Sequence, residues 1–368
     1  VDCYDFDAST PRNNPLEHAR RMPTTMKTVR WHAPRDMRLE DAPVPTPKAH
    51  EALIRIESCG VCGSDMHYYL DGHIGSQVLT RPTVLGHEYA GIVEAVGPDA
   101  DQSLLGKRVA VEPGIPCGQC EWCRTGHYNV CGHMFFPGGP GCDGAFAEYI
   151  AVHAAYCFPV PDGMGAPLAA MIEPLAVALH TVELADIKVG ESAAIIGLGP
   201  IGLLTAQCLK LAGVDVVYGA DLHEYRVQVA RKFGVDHATN ANDTDTVAAV
   251  WAATKGRGVD VAFDCSNRGE GIGVACKVTR PAGRCVLTGI SGNEEDLVPI
   301  STARRRELTF RWCRRFKNNF PAAIRLIESG KLDIAPLITH SFPLSGTRDA
   351  FEIVAGYQDG VLKASIDQ

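Results

Sequence analysis

Four cysteines fall within the stretch PCGQCEWCRTGHYNVC, at Cys117, Cys120, Cys123 and Cys131. A C-x2-C-x2-C-x7-C pattern can be a disulfide knot, a nucleic-acid-binding finger or a metal brace. Four thiolates satisfy a tetrahedral zinc by themselves and leave no open position, so a metal bound here is structural. A second group has different chemistry. SCGVCGSDMHYYLDGHIG brings Cys62, Ser64, Asp65 and His67 close together in sequence, and LGHEYAG adds His87 and Glu88. A thiolate, an imidazole and a carboxylate from separate loops make a mixed-ligand zinc site with room for an exchangeable water, the catalytic type. Cys59 offers an alternative thiolate, but it ends an apolar strand, where a buried structural cysteine is commoner.

A third constellation concerns a nucleotide. GLGPIG, comprising Gly197, Gly199, Pro200, Ile201 and Gly202, is G-x-G-x-x-G between an apolar strand and a helix. Asp221 ends the next strand, VDVVYGAD, 19 residues past Gly202. That context is the dinucleotide fingerprint. The glycines let the backbone turn tightly against a pyrophosphate, whose charge meets the free N–H groups of the helix start. The Asp221 carboxylate would accept ribose hydroxyls and repel a 2′-phosphate, which favours NAD over NADP. Arg226 lies near enough to soften that preference. A glycine-rich turn in an α/β sheet without a nucleotide is the bland alternative.

The elements that must position these residues fall into two textures. From Met26 to about Val160, short β-rich runs such as EALIRIESCG, YAGIVEAVG and KRVAVEP are cut by Gly and Pro. From about Ala166 the apolar spacing turns helical, and after Gly190 strands and helices alternate, which predicts a doubly wound parallel sheet. The expected organisation is an α/β two-domain protein. Residues 26–174 form a β-rich catalytic domain carrying a metal lobe at about 113–133. Residues 175–314 form the nucleotide-binding domain, and 315–368 follow as a tail with two helical patterns around a short extended segment. Residues 1–25 are expected to be an N-terminal extension, and their polar run of 1–21 lacks the apolar segment of a secretory signal.

Bulk properties exclude other classes. The net charge of −8 argues against a protein that grips a phosphate backbone, and the cysteine loop holds one basic residue, Arg124. Fourteen cysteines in 368 residues are far too sparse for a disulfide scaffold. The longest uncharged run, 192–209, is broken by Gly197, Gly199, Pro200 and Gly202, so it reads as strand, turn and helix rather than a membrane span. The expectation is a cytoplasmic protein with reduced thiols and no nucleic-acid or membrane partner.

Together CGVCGSDMHYY, VLGHE, the four-cysteine loop, IEPLAVALH and GLGPIG, in this order and at this spacing, resemble the zinc-containing medium-chain dehydrogenase/reductase superfamily. Within it the chain is most similar to the polyol (sorbitol, xylitol and L-arabinitol) dehydrogenases, from about Met26 to its C-terminus. The resemblance implies a GroES-like catalytic domain, to which 315–368 return, and a Rossmann coenzyme domain, one catalytic and one structural Zn2+ per chain, and NAD. It implies that Cys62 and His87 ligate the catalytic zinc and that Glu88 ligates or backs it. Ser64 would take the alcohol proton, with His67 as relay. Glu173, in IEPLAVALH, stands where simple alcohol dehydrogenases carry a second zinc cysteine, and would ligate the metal or hold its water. For a polyol substrate, Arg315 keeps a family arginine, Phe316 replaces a tyrosine, Tyr68 floors the pocket and Phe136 supplies an aromatic wall, although the following PGGPGC departs from the family pattern. A homo-oligomer is implied, with a tetramer favoured over a dimer. The rival readings are a vicinal-diol dehydrogenase of the butanediol type, a non-catalytic zinc and nucleotide binder on this scaffold, and a zinc-finger regulator.

Overall fold

The run EALIRIESCG becomes β1 (Glu51–Gly60), the central strand of the first sheet in the computed structural model, which describes residues 23–368. All but the last three residues of the expected N-terminal extension lie outside the described residues. Ala52, Ile54 and Ile56 are buried, as a strand with partners on both edges requires. The strand leads into α1 (Gly63–Asp71), and one edge of β1 pairs antiparallel with β2 (Glu88–Val96). The other edge is shared. Its first half pairs with Tyr149–His153, and its end pairs with the C-terminal strand Lys363–Asp367.

The long helix α2 (Ile172–Ala185) leads from this sheet to a second one. Leu175, Ala176 and Ala178 are fully buried and share one core with Leu203, Leu204, Val261 and Phe320. Each fully buried leucine contributes roughly 1.5–3 kcal/mol. Among the described residues one helical stretch, Ala166–Ala185, is long and apolar enough to cross a bilayer, and 67% of its most apolar window is buried inside the protein. It is a core element.

The second sheet starts with β3 (Ser192–Ile196), followed by α3 (Pro200–Leu211) and β4 (Val216–Asp221). Strands β5 (His237–Asn240), β6 (Val259–Asp264), β7 (Thr279–Leu287) and β8 (Thr309–Trp312) complete it. All pairings are parallel, and the spatial order is β5-β4-β3-β6-β7-β8. This is the doubly wound dinucleotide topology, which places a ligand at the strand ends where the order reverses, beside β3.

The return to the first sheet is made later than the sequence suggests. Phe316, Phe320, Leu332, Ile334 and Leu337 pack in the core shared with α2 and α3. Only Ile338–Pro343 and β9 (Lys363–Asp367) rejoin the first sheet. The register of β9 has a consequence for chemistry. Gly60, at the end of β1, lies opposite Glu88 on one side and Ser365 on the other. A Cβ at Gly60 would lie 2.3 Å from Glu88 Oε2 and 3.2 Å from Lys363 Cε, so glycine is what leaves room for those two side chains to meet.

Candidate active site

Cys62 caps the start of α1 in an extended conformation, and its N–H donates to Asp65 Oδ2 at 3.0 Å. His87 and Glu88 follow Gly86, whose φ of 94° is left-handed backbone suited to glycine. The ligand atoms of Cys62, His87 and Glu88 lie within 4.8 Å of one another. Asp65 joins the two loops: its Oδ1 accepts from Gly86 N–H at 3.3 Å and lies 3.4 Å from His87 Nδ1. A carboxylate on Nδ1–H leaves Nε2 as the free lone pair, which is how metal-binding histidines are oriented. Sequence reasoning placed Asp65 nearby without a role; its position in the first helical turn was the signal.

The charges around this cluster are strongly coupled. Burial opposes charge on His87, but Asp65 and then Cys62 outweigh it and raise the ring's pKa well above the ordinary histidine value. Glu88 forms an ion pair with Lys363, and both are buried. Glu173 sits in the first turn of α2. Burial pushes its carboxyl up to about 8; His87 opposes this, Glu88 adds to it, and Lys363 and Arg315 oppose it. Thiol, imidazole and carboxylate crowded out of water, with a further carboxyl alongside, are a donor set that fits zinc with an exchangeable position.

The four-cysteine loop fits a closed metal site. The Sγ atoms of Cys117 and Cys123 are 3.9 Å apart, those of Cys120 and Cys123 3.4 Å, and those of Cys120 and Cys131 3.9 Å. Disulfide sulfurs are about 2.05 Å apart, whereas thiolates bound at about 2.3 Å around a tetrahedral zinc are separated by roughly 3.8 Å. Backbone N–H groups of Gln119 and Cys120 hold the Cys117 thiol down to about 6, which favours the thiolate that a metal needs.

Beside the lobe, Glu112 is buried and accepts the Tyr128 hydroxyl at 2.7 Å. Burial pushes Glu112 up to about 7 against that hydrogen bond. A carboxyl whose folded pKa is raised contributes stability at low pH that is lost as pH climbs from the unfolded value to the folded one. The wild type should therefore lose about 1–3 kcal/mol more than Glu112→Gln between about pH 5 and pH 8. Chemical denaturation of both proteins at the two pH values checks this, and parallel pH profiles would refute it.

At the nucleotide end, Gly197 has φ 94°, and a Cβ at Gly202 would lie 2.0 Å from the Gly197 carbonyl oxygen. Pro200 and Ile201 open α3, and Gly199 caps it. Asp221 ends β4, as expected. Its Oδ2 accepts Leu198 N–H at 2.7 Å and its Oδ1 accepts His223 N–H at 2.9 Å, so it also ties down the glycine turn. Arg226 Nη1 lies 3.5 Å from Asp221 Oδ2, and the guanidinium stacks over Tyr225 and Tyr357.

The expected substrate residues are brought together unevenly. Ser64 Oγ donates to Cys62 Sγ at 3.3 Å and lies 3.4 Å from His87 Nε2. His67 Nε2 is instead 2.8 Å from the Ile290 carbonyl, across from α1; no hydrogen bond joins it to Ser64. Phe136 packs its ring 5.1 Å from that of His87, and the Arg315 guanidinium lies 3.9 Å over the Phe136 ring. Burial, then Arg314, pulls Arg315 down to about 9, against the pull of Glu173 and Tyr68, so the guanidinium stays charged at neutral pH. Tyr68 is buried, its hydroxyl 3.5 Å from Gln77 Oε1. Phe316 differs from expectation: its ring is buried in the core against Phe320, 5.3 Å away, because an apolar side chain after Arg315 turns inward. Lys363 was not singled out from the sequence.

A dinucleotide-type sheet beside a thiol–imidazole–carboxylate cluster whose imidazole and carboxylate are buried defines a class, the metal-dependent dehydrogenases. Comparison with known proteins agrees. Residues 48–162 match the alcohol dehydrogenase GroES-like domain family and residues 200–329 the zinc-binding dehydrogenase family. Sorbitol dehydrogenase of Bacillus subtilis (strain 168) is 34% identical over 345 residues, covering 94% of this chain and 98% of that one. The solved structure of a short chain alcohol dehydrogenase from Escherichia coli CFT073, complexed with the cofactor NADH, matches with a TM-score of 0.86 at 30% identity, over 94% and 100% of the two chains. That of 2R,3R-butanediol dehydrogenase from Bacillus subtilis matches with a TM-score of 0.83 at 31% identity, over 93% and 99%. The chain belongs to the zinc-containing medium-chain dehydrogenases, in the polyol dehydrogenase family. It is an oxidoreductase.

Proposed function

We propose that the protein oxidises a secondary hydroxyl of a sugar alcohol to a ketose, with NAD+ as hydride acceptor. The observation that carries this reading is a buried carboxyl, Glu173, and a half-buried guanidinium, Arg315, beside the Cys62–His87–Glu88 cluster. A guanidinium desolvated at this position needs several oxygen partners, which a polyol has and a small apolar diol lacks.

The zinc that Cys62, His87, Glu88 and Glu173 would hold supplies Lewis-acid chemistry, lowering the pKa of a hydroxyl at the site by several units. Ser64, held by its bond to Cys62 Sγ, takes the hydroxyl proton as it gives up its own, and the relay role of His67, one turn further along α1, requires its ring to leave the Ile290 carbonyl. Arg315 and Tyr68 orient the remaining hydroxyls, Phe136 excludes water from one side, and Phe316 acts by packing behind Arg315. The glycine turn of Gly197, Gly199, Pro200, Ile201 and Gly202 receives the pyrophosphate. Asp221 takes the ribose, with Arg226 alongside. The roles of 26–174 as catalytic domain and 175–314 as coenzyme domain follow from this reading, with 315–368 returning to the first domain through its strands Ile338–Pro343 and β9, and with Cys117, Cys120, Cys123 and Cys131 holding the structural zinc.

We place the protein in the cytoplasm as a homo-oligomer, a tetramer rather than a dimer. Strand β8 is an edge of the second sheet, with Trp312 exposed, and Leu297 and Ile300 are exposed too; these apolar surfaces support self-association. The second reading is a vicinal-diol dehydrogenase, favoured by the likeness to the butanediol enzyme. NADH formation followed by absorbance across sorbitol, xylitol, L-arabinitol, galactitol, 2,3-butanediol and ethanol separates the two. Turnover of sugar alcohols is expected; turnover of butanediol alone would overturn the polyol reading.

A further inference from the structure

The turn that carries Arg315 runs from Cys313 to Asn319, between β8 and the helix Phe320–Glu328. Its backbone is unusual. Arg315 has φ 52° and Asn318 has φ 59°, so two residues with side chains sit in the left-handed region. Such conformations persist where the surroundings over-determine them. On one side, Asn319 Nδ2 donates to Glu183 Oε1 at 2.8 Å, tying the turn to α2. On the other side the partners come from the four-cysteine lobe. Asn129 Nδ2 donates to the Arg314 carbonyl at 2.9 Å, and Asn318 N–H donates to the Tyr128 hydroxyl at 2.7 Å.

These two lobe residues lie between Cys123 and Cys131, in a short helical turn over Tyr128–Val130. Tyr128 has one hydroxyl hydrogen, which goes to Glu112 Oε1 at 2.7 Å. A hydroxyl committed as donor to Glu112 presents its lone pairs to Asn318 N–H, so the direction of the chain is determined. Asn129 is itself buried, and its amide faces the Arg314 carbonyl. The lobe is thus bolted to the turn through two backbone groups on either side of Arg315.

We propose that Tyr128 and Asn129 are positioning residues for the substrate. The four-cysteine lobe holds the 313–319 turn so that the Arg315 guanidinium stays over Phe136, beside Glu173. The structural metal thereby acts on polyol binding through two hydrogen bonds, and not only on folding. The inference rests on the reading of Arg315 as a substrate residue, and its test separates the two.

The experiment compares the wild-type zinc-loaded enzyme with Tyr128→Phe, Asn129→Asp and Arg315→Met. It measures zinc content, amide hydrogen exchange in the peptide spanning 313–319, and KM and kcat for the best polyol and for NAD+. Tyr128→Phe keeps the ring and loses the acceptor; Asn129→Asp keeps the shape and loses the amide donor. Each should speed exchange in 313–319 and raise the polyol KM by about 2- to 10-fold, the change expected for one lost hydrogen bond. The KM for NAD+ and the zinc content should stay at wild-type values. Unchanged exchange in both variants would overturn the proposal. Faster exchange without a KM effect, where Arg315→Met does raise KM, would overturn it as well. Faster exchange with both KM effects missing would support the hold on the turn and sink the substrate role of Arg315.

Discussion

Replacing Cys62 with serine should lower kcat/KM on a sugar alcohol by about 10³-fold or more, since the metal contributes several kcal/mol to the chemical step. It should also remove one of two zinc equivalents per chain, leaving the ion at the four-cysteine lobe. The argument is geometric. Cys62 supplies the sole thiolate in a cluster whose ligand atoms converge within 4.8 Å, and Ser64, the proposed proton acceptor, is bonded to its sulfur. A serine hydroxyl is a weaker ligand for zinc than a thiolate, and the ion it would help to hold compensates two buried acids, Glu88 and Glu173. Steady-state kinetics with metal analysis on one preparation decides the matter. Full activity with one zinc equivalent lost would assign the chemistry elsewhere. Unchanged zinc content would mean that Cys62 is not a ligand.

Lys363→Met should cost about 3–5 kcal/mol of stability, the penalty for leaving one partner of a buried ion pair without the other. Lys363 is 4% exposed and Glu88 1%, and the Lys363 ammonium also donates to the Val61 carbonyl at 3.0 Å. Burial lowers the lysine's pKa, but Glu88 and then Cys62 outweigh it and raise it overall. A lysine with a raised folded pKa contributes fully below the unfolded value of about 10.4 and loses that contribution only as pH climbs through the higher folded value. Titration of the lysine itself therefore adds no pH dependence to the deficit of the variant from about pH 6 to pH 9. Denaturant unfolding of metal-loaded protein measures it. A loss below about 1 kcal/mol would show that Glu88 finds its compensation in the metal alone and that Lys363 is dispensable.

Much of the chemistry was legible because it is local. Gly197 to Gly202, with a strand before and a helix after, dictates its own turn, and the structure shows that turn with Asp221 at the end of the next strand. The four cysteines converge because a loop this short has few ways to arrange them, and Cys62 is aimed by being the cap of α1. Alternating strands and helices after Gly190 likewise dictated a parallel sheet, since parallel neighbours need a crossover.

What the sequence alone could not decide are the contacts made by residues distant along the chain. Lys363 meets Glu88 because the register of β9 and β2 on either side of β1 puts both beside Gly60, and no local pattern encodes that register. His67 turns to the Ile290 carbonyl rather than to Ser64, and Asn318 reaches Tyr128, because two sheets pack in one orientation. Phe316 follows an arginine of the site yet faces the core, since the left-handed backbone at Arg315 sets the two side chains on different courses. Spacing along the chain determined which atoms could form a metal site or a phosphate turn. Tertiary packing decided their charge partners, because burial and strand register set the distances between residues that the sequence leaves far apart.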